Sequence, residues 1–114
     1  MCTCVQELGE RGTGWAAPGC DVLVAYHRPE GAGRGLLIQQ APDEFLLIGV
    51  GLSVQFRRPR PSGEPIAVVS AEWGRYEGER WIALHPVRRE RDESLGMPVR
   101  LVEPGVVRVI LDIV

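Results

Sequence analysis

The chain has 114 residues, 45% of them hydrophobic and 25% charged, with a formal net charge of −2, a profile that suits one ordinary globular domain and excludes bulk disorder. All thirteen basic residues are Arg, and Lys and Asn are both missing; the near-balanced charge gives no electrostatic reason to expect nucleic acid or a membrane surface as a partner. Cys2, Cys4 and Cys20 form no CxxC pair and have no His at zinc spacing, so they read as reduced thiols, and no metal or other cofactor is expected.

Residues 1–19, "MCTCVQELGERGTGWAAPG", sustain neither the strand nor the helix period and read as a flexible leader ahead of a β domain over 20–114. The start lacks the basic and apolar regions of a signal peptide, and the longest apolar run, Phe45 to Val54, is about half of the roughly 20 residues that span a bilayer. A cytoplasmic location is therefore expected. "CDVLVAYH", residues 20–27, puts Val22, Val24 and Tyr26 on one face and predicts a strand. The GxGxG spelling of Gly31, Gly33 and Gly35 tempts a phosphate-loop reading, but "LLIQQ" after it is a strand, so no helix N-terminus is present to receive an anion.

Short strands separated by turn residues follow. Leu36 to Gln40 leads to a turn at residues 41–43, Glu44 to Ile48 is the next strand, and Gly49-Val50-Gly51 predicts a tight bend or bulge. Leu52, Val54 and Phe56 alternate with Ser53 and Gln55, one face buried and the other wet. Pro59, Pro61 and Pro65 make residues 57–65 a loop, because proline lacks the amide that a ladder needs. Ile66 to Ser70 begins a strand continued by "EWGRY", residues 77–80 form a hairpin turn centred near Gly78, and Trp81 to Leu84 returns. Residues 85–98, with Arg88, Arg89 and Arg91 interleaved with Glu90, Asp92 and Glu93, read as a salt-bridged solvated loop. "VRLV", a turn at residues 103–105 and "VVRVILDIV" close the chain, with Val107, Val109, Leu111 and Ile113 on one face. This pattern predicts an all-β fold, a single small antiparallel β-sandwich, jelly-roll-like or meander, with faces 52/54/56 and 107/109/111/113 as the halves of its core.

Candidate chemistry is sparse. Asp43 and Glu44 are adjacent, so within a strand they point to opposite faces and cannot converge on one bond. His27 and His85 adjoin loops, far apart in the chain and without a nucleophile beside them. Trp73 and Trp81 flank one hairpin turn and, with Glu72 and Arg75 nearby, are the candidate carbohydrate-binding residues, since an aromatic ring beside an acid suits a sugar. Core-edge packing is the competing role for both rings. No catalytic residue is assigned; an independent hydrolase would have to use Glu72 and Asp92.

"GLLIQQAPDEFLLIGVGLSVQF", residues 35–56, followed by "VVSAEWGRYEGERW", residues 68–81, resembles the C-terminal β domain of uncharacterised function in bacterial family 35 glycoside hydrolases of the β-galactosidase type. In those proteins "G-L-x-I-Q-x-G-P-D-E-F", "G-x-G-x-x-V-x-F" and "E-E-G-R-x-x-x-G-x-W" recur in this order. Gly35, Gln39, Pro42, Asp43, Glu44, Phe45, Gly49, Gly51, Val54, Phe56, Glu72, Gly74, Arg75, Gly78 and Trp81 echo them, Gly78 one place early, and the resemblance covers residues 34–114. Trp73 stands where the pattern has its second Glu, and "VRRERDE", residues 87–93, lacks the Asn and Gly of the corresponding segment. The resemblance implies a non-catalytic accessory domain associated with carbohydrate metabolism, whose partner is a catalytic barrel on a neighbouring polypeptide or segment. A carbohydrate-binding module using Trp73 and Trp81 is the alternative.

Overall fold

The computed structural model describes residues 4–8, 12–16, 22–28, 35–58, 63–87 and 99–112. Its ten strands are β1 (Cys4–Leu8), β2 (Gly12–Ala16), β3 (Leu23–Arg28), β4 (Gly35–Ala41), β5 (Glu44–Gly49), β6 (Leu52–Arg57), β7 (Ala67–Glu77), β8 (Arg80–Pro86), β9 (Val99–Leu101) and β10 (Gly105–Asp112). They form a six-stranded sheet in the order β1-β4-β5-β10-β7-β8 and a four-stranded sheet in the order β2-β3-β6-β9. Every pairing is antiparallel. The fold is thus the antiparallel two-sheet arrangement that the alternating pattern predicts, but neither sheet is a plain meander: β10, the last strand, sits at the middle of the larger sheet.

The leader expected over residues 1–19 contains two strands instead. β1 adds to the edge of the larger sheet beside β4, and β2 pairs with β3 in the smaller one. Gly12 and Gly14 concealed β2, because they interrupt the side-chain alternation while leaving the backbone free to pair, and the five residues CVQEL of β1 show no clean alternation. The bend at residues 49–51 carries the chain from one sheet to the other, and the Gly51 amide donates to the Leu101 carbonyl at 2.7 Å. Leu111 N donates to the Asp43 carbonyl at 2.8 Å, so Asp43 closes the β4–β5 turn against β10.

The core lies between the sheets. Leu37, Phe45, Leu47, Ala71, Trp73, Val107, Val109 and Leu111 come from the larger sheet, and Val24, Leu52, Val54, Phe56, Val99 and Leu101 from the smaller one. The faces 52/54/56 and 107/109/111 are therefore opposing halves of one core, while Ile113 lies outside the described residues. Phe45 and Phe56 meet across it with ring centroids 5.1 Å apart, within the range at which tilted aromatic rings attract. No helix among the described residues is long and apolar enough to cross a membrane.

Val109 is fully buried, whereas Ser53 is half-buried on the other side of β6, opposite Arg100 and His27. Val109→Asp should abolish cooperative folding, since an unpaired buried carboxylate costs several kcal/mol, comparable to the whole stability of a domain of this size. Ser53→Asp should shift stability by only about 0.5 kcal/mol. Thermal melts of the two variants check the register, and equal melting temperatures would contradict it.

Candidate functional site

The β7–β8 hairpin decides which of the expected site residues meet. Its loop is Gly78-Glu79, with Gly78 at φ 64° and Glu79 not at positive φ, the pattern of a type II′ turn with glycine first. Glu77 then faces Arg80, Tyr76 faces Trp81, Arg75 faces Ile82 and Gly74 faces Ala83. Because side chains alternate along a strand, Trp81 shares a face with Tyr76, Gly74 and Glu72, while Trp73 and Arg75 share the other. Of the four expected sugar-contacting residues, the structure unites Glu72 and Trp81 on the outer face and separates Trp73 and Arg75 from them. Trp73 is a core residue, 6% exposed, and Arg75 pairs with Glu77 at 2.9 Å near the hairpin tip.

The outer face of the larger sheet is organised around Arg108. On β10 its flanking residues Val107 and Val109 point into the core, so Arg108 points outward, opposite Glu72 of β7 and Leu46 of β5. Arg108 Nη2 donates to Glu72 Oε1 at 3.1 Å, and Nη1 lies 3.7 Å from Glu44 Oε1. Trp81 Nε1 donates to the same Glu72 oxygen at 2.8 Å, and the Arg108 guanidinium carbon lies 5.3 Å from the Trp81 ring centroid, a cation–π distance. Tyr76 meets Trp81 edge-on, with centroids 5.2 Å apart, and its hydroxyl donates to Gln40 Oε1 at 3.0 Å, linking β7 to β4. The carboxylates and the cation are each more than two-thirds buried. Arg108 Nε is buried with no hydrogen-bond partner, so the two outer nitrogens make all of its polar contacts.

Gly74 is the floor on which Trp81 rests. A Cβ there would lie 2.4 Å from Trp81 Cζ2 and 2.5 Å from the Ile82 carbonyl oxygen, so no larger residue fits without displacing the indole or the strand. Trp81 is thereby fixed from below by Gly74 and at its nitrogen by Glu72. Chemically, one cation binds two carboxylates, and neither Glu44 nor Glu72 stands alone beside a bond that it could protonate. The cluster carries one more negative than positive charge and presents aromatic, amide and carboxylate groups together.

The other candidates stay apart from it. His85 is exposed, with Nε2 3.6 Å from Glu103 Oε1, and its ring centroid is 6.1 Å from that of the buried Trp73. His27 is exposed at the far end of β3. Cys2, Cys20 and Asp92 lie outside the described residues, as does most of the expected loop over 85–98, although His85 and Pro86 complete β8. Among the described residues, no cluster of three His, Cys, Asp or Glu is arranged to hold a metal ion.

Arg108, Tyr76 and Gln40 are the site members that sequence reasoning passed over, while Glu44 was weighed only as a partner of Asp43. Arg108 left a usable signal: a lone charge amid Val106, Val107, Val109 and Ile110 must find counter-charges on the neighbouring strands. A double-mutant cycle on Glu72→Gln and Arg108→Met should return a coupling of about 1 kcal/mol in chemical denaturation; additive effects would contradict the shared hydrogen bond. Gly74→Ala should cost about 1–3 kcal/mol through overpacking and increase the solvent exposure of Trp81, read as a red shift in emission from a variant retaining that tryptophan alone.

The chain belongs to the family described as a domain of unknown function (DUF5597), which matches residues 1–87. That span takes in β1 and β2 and ends at Val87, after β8. No curated protein matches the chain.

Proposed function

We propose that this member of a family of undefined function is a non-catalytic accessory β domain that works beside a catalytic barrel of the family 35 glycoside hydrolase type. The observation that carries the reading is the state of the carboxylates on the outer sheet face. Glu44 and Glu72 reach this face from different strands, and both are bound to Arg108. Glycoside hydrolysis needs two carboxyl groups in unequal environments, one protonated and one charged. Both carboxylates are instead committed to one guanidinium, an arrangement that suits a structural clamp.

The resemblance of "GLLIQQAPDEFLLIGVGLSVQF" and "VVSAEWGRYEGERW" to the C-terminal domain of those hydrolases supplies the partner. Several of the echoed residues have structural roles: Asp43 closes a turn, Phe45, Val54 and Phe56 fill the core, and Gly74 seats Trp81. Such residues suit a scaffold.

Two measurements test the proposal. The isolated chain should leave a chromogenic galactoside unhydrolysed, and turnover abolished by Glu72→Gln would contradict a non-catalytic role. Co-expressed with a family 35 catalytic barrel, the full chain should co-elute with it in size-exclusion chromatography; elution as separate species at micromolar concentration would contradict the partnership.

A further inference from the structure

We infer that the outer face of the six-stranded sheet carries a shallow site for a neutral pyranose ring, stacked on Tyr76 against the wall of Trp81 and hydrogen-bonded by Gln40 and Glu72. The site does not depend on the accessory role, which concerns a protein partner.

The aromatic geometry comes first. Tyr76 is 40% exposed, one of few large apolar side chains left open among the described residues, and Trp81 stands at 66° to it with centroids 5.2 Å apart. Two rings set edge-to-face form a corner, which offers a platform for the C–H face of a sugar ring and a second surface against its edge. The corner is held before any ligand arrives. Gly74 supports the indole, Glu72 holds its nitrogen and Gln40 holds the Tyr76 hydroxyl, so little side-chain freedom is lost on binding.

The remaining hydrogen-bonding capacity selects the chemical class. Contacts within the cluster use Gln40 Oε1 and Glu72 Oε1. That leaves the Gln40 amide nitrogen as a donor, and the second Glu72 oxygen and the Tyr76 hydroxyl oxygen as acceptors, uncommitted among the described residues. Donors and acceptors side by side match hydroxyl groups, each of which can give and accept. Charge excludes the anionic alternatives: Glu44 and Glu72 outnumber Arg108, whose guanidinium is occupied by both of them. A phosphate, sulfate or uronate would therefore meet net repulsion.

The test is a titration of the full chain with neutral methyl hexopyranosides, and with glucuronate in parallel, followed by the indole N–H resonances, the Trp81 signal being assigned with Trp81→Phe. The Trp81 signal should move saturably with at least one neutral pyranoside while the buried Trp73 signal stays put, and glucuronate should move it little. Tyr76→Ala should weaken binding about tenfold, the loss of one stacking contact. If that variant disturbs the Trp73 signal, Gln40→Ala provides the same comparison with a loss of about fivefold. The proposal is overturned by the lack of any saturable shift up to about 50 mM, well above the roughly millimolar constant of a shallow site. Preference for glucuronate, or unchanged affinity in the folded variant, would overturn it equally.

Discussion

A guanidinium in the middle of a central β-strand must be answered by charge from the strands on either side. Arg108 imposes that demand here. Its neighbours Val107 and Val109 are fully buried in the core, so the strand cannot turn to release Arg108 into water without exposing them. The answer comes from Glu72 on β7 and Glu44 on β5, the two strands that flank β10. A slip of one residue in either pairing would send the carboxylate to the core and an apolar side chain to the surface. Hydrophobic alternation and charge pairing therefore specify the same register.

The consequences spread across the outer face. Glu72 Oε1 accepts from both Arg108 and Trp81, so the charge pair also positions an aromatic ring. That ring rests on Gly74, stands against Tyr76, and Tyr76 reaches Gln40. Five strands' worth of the larger sheet, from β4 to β8, are tied together by side chains on the face away from the core. The inner face supplies most of the stability through burial of groups such as Phe45, Phe56 and Leu47. The outer face supplies shape.

Much of this was legible in the sequence. Alternation located Leu52, Val54 and Phe56 opposite Val107, Val109 and Leu111, and turn residues marked the β4–β5 and β7–β8 hairpins. Strand order was not legible, because the placement of β10 between β5 and β7 is a non-local choice that no local period encodes. Of the strands in residues 1–19, β2 was hidden by glycines, which carry no side chain to alternate, and β1, CVQEL, is short and without clean alternation. Trp73 and Trp81 are a different case. Once the turn is Gly78-Glu79, counting back places Trp81 opposite Tyr76 and so across the sheet from Trp73. Locating the turn only near Gly78 left that parity unused. Arg108 too was readable as a charge stranded in an apolar run, but its partners required the topology.

The same arrangement bears on function. Carboxylates clamped by a cation build a scaffold, and an aromatic corner held from three sides is a surface prepared in advance. Both rest on Arg108 holding Glu72, and Glu72 holding the Trp81 indole. Hydrogen exchange of the Trp81 indole N–H, compared between the native chain and Arg108→Met, measures that dependence directly. The account predicts a protected proton in the native chain and exchange faster by about tenfold in the variant, with core amides of β10 unchanged. Equal exchange in both would mean that Arg108 does not organise the face.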